Sequence, residues 1–426
     1  MPERSALTDE LLRQLVSVGQ VDVLVAIPTF NDAATVSDVA KAVMASFLRH
    51  FPRERTALLN PDGGSSDGTP DRVLGADPRE LDPRLRSSGL RTIHRISAPH
   101  VGLPTRSNAL RAIFAAADLL QAKALAVLEP GVTSVTPEWV ASLIRPVLRE
   151  ETDFVGPAFS RHPAEGPLVS QMIRPLVRAV YGRRLREPVT PEFGCSGRFA
   201  SHCLADPVWE REMAPLGVGL GVRLSAIAGG FRLGETYLGT RAVAPRPDPP
   251  RVPDVFGQVA GCLFSCMDAH ERYWLATAAP VEVPYFGADS APPEEPSLLE
   301  PAPLVDAFRS GLGHLRSLLD PILSPATLGA LEASAADGVP FHLPDEVWVS
   351  AVYESAGAYH RQVLHRDHLV QALVPIYLGR AASFILECGS DTPAEAEARL
   401  NRLEQSFEIM RPQLIELWSS KTGGAR

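Results

Sequence analysis

The chain has 426 residues, 45% hydrophobic and 21% charged, with a formal net charge of -9 at pH 7. That length exceeds one ordinary core and predicts two or three domains of a folded protein, not a disordered one. The acidic balance excludes nucleic acid and anionic membranes as partners held by charge alone, although Tyr181 to Arg186 form a local basic patch, "YGRRLR".

In chain order, the first 20 residues read as a short amphipathic helix whose charges interrupt every turn, unlike the apolar core of a signal peptide. "VDVLVAIPTF" (Val21 to Phe30) reads as a buried strand ended by Pro28. "DAATVSDVAKAVMASFLRHF" has helical periodicity, with Asn31 or Asp32 as its N-cap. "TALLNPDGG" (Thr56 to Gly64) is a second strand running into a turn, and "GLRTIHRIS" a third. "TRSNALRAIFAAADLLQ" is a helix, and "ALAVLE" a fourth strand that stops at Glu129 before Pro130-Gly131. Strands alternating with helices predict a mostly parallel sheet with helices on both faces, and such sheets bind ligands at their carboxyl edge.

Beyond residue 150 the pattern loosens. "EFGCSGRFAS" and "FRLGETYLGTRAV" are strand-and-loop material, and "VFGQVAGCLFSCMDAHERYW" is a helix. The Pro- and Glu-rich segment from Gly287 to Pro303 reads as a linker, and nearly everything after it is helical. The expected organisation is an N-terminal helix over 1–20, an α/β domain over 21–285, a linker over 286–303 and a helical domain over 304–426. No membrane span is expected, because no uninterrupted apolar run approaches about 18 residues. Five irregularly spaced cysteines predict no disulfide framework and a cytoplasmic setting. Cys262, Cys266 and His270 share one helical face, where a packed apolar stripe is expected ahead of zinc, which prefers four good ligands.

Two loops carry the strongest chemical signal. The first places Pro28, Thr29, Asn31 and Asp32 at the end of the first strand. The second places Asp62, Gly63, Gly64, Ser65, Ser66 and Asp67 at the end of the second. Small residues there let backbone approach a ligand, and exposed N–H groups beside a helix start favour phosphate. The same residues are ordinary turn and cap formers, so each loop alone leaves both readings open.

Together and in this order, the pieces resemble family 2 type glycosyltransferases with the Rossmann-like GT-A fold. "PTFND" stands for that family's P-x-x-N-E and "DGGSSDGT" for its D-x-G-S-x-D-x-T; "TRSNALR", with Arg106 and Asn108, stands for its G-K-G-x-A-L helix start. Within that class, "EPGVTSVTPEWV" and "LGTRAV" most resemble the mannosylglycerate and glucosyl-3-phosphoglycerate synthases. The resemblance implies a nucleotide-diphosphate sugar as donor, with Asp62 reading the nucleotide, Arg106 meeting phosphate and Glu129 at the sugar. It also implies a divalent cation, Mg²⁺ or Mn²⁺, held by an Asp-x-Asp pair and a His. Aligned on this chain, the pair falls on Glu129 and Gly131, the His on Val243, and a further acid on Arg223. Glu129 is the one metal ligand this leaves, and one carboxylate does not hold a hydrated cation without substrate phosphates.

Two outcomes follow. In the first, Arg106, Arg198 and Arg223 replace the metal and Glu129 and Arg223 serve catalysis, in a hexosyltransferase acting on a small hydroxylated acceptor such as a glycerate. In the second, the chain is a noncatalytic nucleotide-sugar-binding or scaffolding protein. Two intact nucleotide loops favour the first. Small molecules are the expected partners, with a homo-oligomer left open. The run holding His360, His365 and His368 is expected to be a solvated face, Cys195 has no catalytic partner in sequence, and Trp139 is expected to pack its helix.

Overall fold

The structure, a computed structural model, describes residues 6–82, 84–85, 93–206, 216–245, 250–290, 293, 299–336, 340–389 and 391–420. The chain divides into two compact units: 1–160 with 190–249 and 283–290, and 161–189 with 250–282 and 291–426. Residues 161–189 and 250–282 thus cluster with the C-terminal helices, although their sequence lies among the α/β elements.

Ten strands are present among the described residues: β1 Val23–Ala26, β2 Thr56–Asp62, β3 His94–Pro99, β4 Ala124–Val127, β5 Phe154–Ala158, β6 Arg183–Arg184, β7 Phe193–Ser196, β8 Leu233–Tyr237, β9 Val281–Glu282 and β10 Tyr285–Phe286. Eight form the sheet of the first unit in the order β10-β8-β5-β7-β4-β1-β2-β3. Every pairing is parallel except those of β7, which runs against both β4 and β5. The expected mostly parallel sheet is present, with β7 as its inverted member.

The apolar runs explain the centre of the sheet. β1 and β4 are buried along their whole length, as strands covered by helices on both faces must be. Val23, Val25 and Ile27 share a core with Val39, Val43 and Phe47 of the helix Val36–His50 and with Val140, Leu143 and Ile144 of the helix Pro137–Leu148. Trp139 belongs to this core, 5% exposed, its ring 5.5 Å from that of Phe159. Each such side chain contributes about 1.5–3 kcal/mol through burial. Gly194 of β7 lets the sheet approach that second helix, since a Cβ there would lie 2.1 Å from the Leu143 carbonyl oxygen.

At the amino end of β1, burial pushes the Asp22 carboxyl up. Hydrogen bonds from the Arg55 amide, Lys123 and the Arg55 guanidinium outweigh it and hold the pKa at about 2, against the usual 3.8. A carboxyl with a lowered folded pKa stabilises the fold above its unfolded pKa and loses that contribution as pH falls through the folded one. Asp22→Asn is therefore expected to lower stability at pH 7 and to flatten the loss of stability between pH 3.8 and about 2, read from urea unfolding at each pH.

The second unit is helical, with Val252–Ala269, Pro301–His314, Asp345–His360, Arg366–Cys388 and Pro393–Ser419 as its longest members. Arg366–Cys388 is long and apolar enough to cross a membrane, but most of it is buried inside the protein. Midway along it, Arg380 pairs with Asp345 and donates to Gln171 and to the Leu343 carbonyl, as in an interior helix. Cys262, Cys266 and His270 are buried, and His270 lies 3.2 Å from the Tyr181 hydroxyl. All five cysteines are free thiols and buried. His360 pairs with Asp268 and stacks on Trp418, whereas His365 and His368 are exposed.

Candidate functional site

Parallel register carries the ends of β1, β2 and β4 to one edge. The N–H of Leu128, just past β4, donates to the carbonyl of Ala26 at the end of β1, and Thr29, just past β1, bridges to Asp62 at the end of β2. Pro28, Asp62 and Glu129 therefore share the carboxyl edge of the sheet.

The two loops there are tied by side chain to backbone. Asp62 is 2% exposed. Its Oδ1 accepts from the Thr29 hydroxyl at 2.8 Å and the Ser65 hydroxyl at 2.6 Å, and its Oδ2 from the Gly64 and Ser65 amides at 2.9 and 2.6 Å. A carboxylate offers about four acceptor positions, so Asp62 is filled by its own loops. It lies beneath the surface of the two loops, not on it. The Asn31 amide donates to Ser65 Oγ, the Ser66 amide to Asn31 Oδ1 and the Ala33 amide to Asp67 Oδ2. Asp32 accepts from the Phe30 amide, and its own amide donates to Thr69. The Thr69 hydroxyl holds the Asp67 carboxyl below its usual range. Asn31 at φ 58° and Gly64 at φ 89° make the tight reversals possible. Pro28 is buried behind the loops.

Phe30 is the residue this edge adds to those singled out from sequence. It is 47% exposed, and a Cβ on Gly63 would lie 3.1 Å from its ring and 2.7 Å from Pro104. Phe30 and Pro104 form an apolar wall beside a backbone that only glycine can leave bare, and Leu103, which precedes Pro104, is 73% exposed. Its signal in sequence is an aromatic inside a polar loop.

Beside this wall begins the helix Arg106–Leu119, capped by Thr105, whose hydroxyl accepts from the Asn108 amide. The Asn108 side chain donates to the Leu103 carbonyl at 3.0 Å and so holds the preceding loop. Arg106 Nη1 lies 2.5 Å from Glu129 Oε2, and Nη2 donates to the Pro191 carbonyl at 2.7 Å. Arg106 Nε is buried and makes no hydrogen bond.

Pro191 sits in a segment clamped by two further arginines. Arg241 forks onto Glu192, Nη2 to Oε1 at 2.8 Å and Nε at 3.2 and 3.3 Å from the two oxygens. Arg223 Nη2 donates to the Thr190 hydroxyl at 3.0 Å and its Nη1 lies 4.0 Å from Glu235. Arg223 is 1% exposed, and its guanidinium uses space left by Gly156, where a Cβ would lie 2.2 Å from Nη2. Far from facing a diphosphate, Arg223 is an interior counter-charge. Arg198 is also placed elsewhere: it pairs with Asp153 at 2.8 Å, the residue preceding β5, at the amino edge. A cavity of about 480 Å³ lies there, lined by Lys123, Thr152, Asp153, Arg198, Ser201 and Arg232. Asp153 pairs with both Arg198 and Arg232, so one carboxylate is shared between two cations.

The positions that the resemblance gives to metal ligands do meet. Val132 and Val243 form an antiparallel bridge, the Ala244 amide donates to the Gly131 carbonyl at 2.9 Å, and a Cβ on Gly131 would touch Val243 at 3.5 Å. Chemically they offer no donor side chain, and Glu129 is held by a guanidinium. Among the described residues, no group of three or more His, Cys, Asp and Glu side chains is placed to hold a metal ion. The residues present do not fit Mg²⁺ or Mn²⁺.

No family model matches the sequence, and no curated protein matches it. Among solved structures, the chain is similar to glucosyl-3-phosphoglycerate synthase from Mycobacterium tuberculosis in complex with Mn²⁺, UDP and phosphoglyceric acid, at 19% identity and a TM-score of 0.42, covering 63% of this chain and 85% of that one. The same enzyme with Mn²⁺, UDP-glucose and phosphoglyceric acid gives 17% identity and a TM-score of 0.40 over 64% and 85%. A mycobacterial protein gives 17% identity and a TM-score of 0.43 over 63% and 80%.

Proposed function

We propose that this chain binds a nucleotide-diphosphate hexose at the carboxyl edge of its sheet and transfers the hexose to a small hydroxylated, glycerate-like acceptor. The observation that carries this reading is the interlocked pair of loops, in which Asp62, Ser65, Asn31 and Asp67 spend their side chains on fixing backbone. Loops held this way present a preorganised surface for a ligand whose binding then orders little. The exposed Phe30 wall supplies a face for a base, and Arg106 a fixed cation for the diphosphate. Transfer breaks the bond from the anomeric carbon to phosphate oxygen, whose electron pair leaves with the diphosphate as the acceptor oxygen bonds to that carbon, and the acceptor's hydroxyl proton passes to the departing diphosphate. Positive charge held near the leaving oxygens lowers that barrier. Asp62 acts as the positioning residue of the loops, not as the reader of the base, and no catalytic task is assigned to Arg223.

The alternative, a protein that binds a nucleotide sugar without transfer, is favoured by one observation: the apolar meeting of Gly131 and Val243 where the resemblance expects ligands. Incubation of the purified protein with UDP- and GDP-hexoses and an acceptor panel, scored by nucleotide release, separates the two. Acceptor-dependent release supports transfer, binding without release supports the alternative, and no binding of any nucleotide sugar ends both. In the same assays Phe30→Ala is expected to weaken nucleotide binding by about 1–3 kcal/mol, the usual worth of one aromatic–base stack. Because Phe30 is half-exposed, the variant's melting temperature should stay close to that of the parent, and an unchanged affinity would remove Phe30 from the site.

A further inference from the structure

The Arg106–Glu129 pair is more than a surface ion pair. Both side chains are largely buried, 14% and 13% exposed. The guanidinium also holds the Pro191 carbonyl, and its Nε–H is a buried donor that neither acceptor satisfies. Glu129 is the carboxylate at which the resemblance places a divalent cation, and the group it holds at 2.5 Å is a monovalent, permanently charged one. Gly131 and Val243, beside it, contribute a bare backbone and a methyl group.

We infer that Arg106 is the resident cation of this site in place of a divalent metal, and that Glu129 is its counter-charge in the resting chain, displaced from it by a diphosphate. The inference rests on the nucleotide-sugar reading above. A phosphate oxygen is the better partner for this guanidinium: it carries more charge, accepts two donors of the planar fork at once and supplies the acceptor that Nε lacks. Incoming diphosphate and Glu129 therefore compete for one group. Affinity for the donor is set partly by the strength of the pair that must open, and the carboxylate released is left beside the sugar. A metal ligand would behave in the opposite way. Removing its charge would weaken donor binding, whereas removing a competitor's charge strengthens it.

The test titrates the full-length protein calorimetrically with UDP, with GDP and with inorganic pyrophosphate, in EDTA and again in Mn²⁺. The variants are Glu129→Gln, Arg106→Lys and Arg106→Gln, each checked for its melting transition. The parent is expected to bind nucleotide in EDTA within about twofold of its affinity in Mn²⁺. Glu129→Gln is expected to tighten UDP or GDP and pyrophosphate about tenfold, and Arg106→Gln to weaken them about tenfold or more, as expected when one charge-assisted hydrogen bond is made or broken. Arg106→Lys keeps the charge without the fork and should fall between. Nucleotide binding that requires Mn²⁺, or a Glu129→Gln variant that binds more weakly than the parent, overturns the inference. Pyrophosphate binding with the Glu129→Gln increase but no UDP or GDP binding would uphold the role of Arg106 and sink the nucleotide reading. No binding in any arm overturns both.

Discussion

Replacing Arg241 with alanine is expected to destabilise the α/β unit by about 3–5 kcal/mol, the usual consequence of removing one partner of a buried ion pair. Glu192 is 0% exposed, and the Arg241 fork at 2.8–3.3 Å is its charged partner among the described side chains. Without it, a carboxylate stays in a site that water does not reach, one residue from the carbonyl that anchors Arg106. The measurement is urea unfolding of the parent and of Arg241→Ala at pH 7. Glu192→Gln in the Arg241→Ala background should restore much of the loss, because an amide costs far less to bury than an unpaired charge. A loss under about 1 kcal/mol for Arg241→Ala would show the pair to be a rim interaction of ordinary strength.

Asp62→Ala carries the second large effect. Four donors lose their acceptor at once: the hydroxyls of Thr29 and Ser65 and the amides of Gly64 and Ser65. Each hydrogen bond to a charged group is worth about 1.5–3 kcal/mol, and the ties that remain through Asn31, Asp32 and Asp67 leave the stretch from Asp62 to Ser65 without its central anchor. Nucleotide affinity is expected to fall at least about 100-fold, a loss of roughly 2.7 kcal/mol or more. Because Asp62 lies beneath the surface, the loss should come with increased amide exchange over residues 29–33 and 62–69 in the unliganded protein. Asp62→Asn separates positioning from charge: its single carbonyl can keep the two hydroxyl donors but presents an NH₂ group to the two amides. A variant Asp62→Ala that keeps its loop protection but loses binding would mean the carboxylate meets the ligand directly.

How far the sequence reached depends on how local each feature is. β1 and β4 are legible because short apolar runs between turn formers read as interior strands, and β2 because Ala57 to Leu59 run straight into turn formers; their alternation with helices makes the sheet mostly parallel. β7 is not legible. Its four residues, Phe193–Ser196, are too short for any periodicity, and its inverted direction is set by partners far earlier in the chain, where Val127 meets Phe193 and Ala124 meets Ser196. The two loops announce themselves by composition, but spacing tells the type of a side chain and not its direction. Asp62 therefore reads as a ligand-binding group while its lone pairs serve its own backbone. Arg223 misleads for a related reason. A charge aligned with a site suggests a partner in that site, whereas its real partners, Glu235 and Thr190, arrive from other elements, and the room it fills is a glycine, Gly156, on β5. Arg241 and Glu192, 49 residues apart, leave no mark in either local pattern.

Hydrogen–deuterium exchange of the full-length protein with and without saturating UDP- or GDP-hexose addresses the carboxyl edge most directly. Slowed exchange is predicted at residues 30–33 and 63–69 and at the start of the helix Arg106–Leu119, with no change around Asp153, Arg198 and Arg232. Protection confined to that amino-edge cavity, or none at the two loops while the sugar nucleotide is bound, would contradict it.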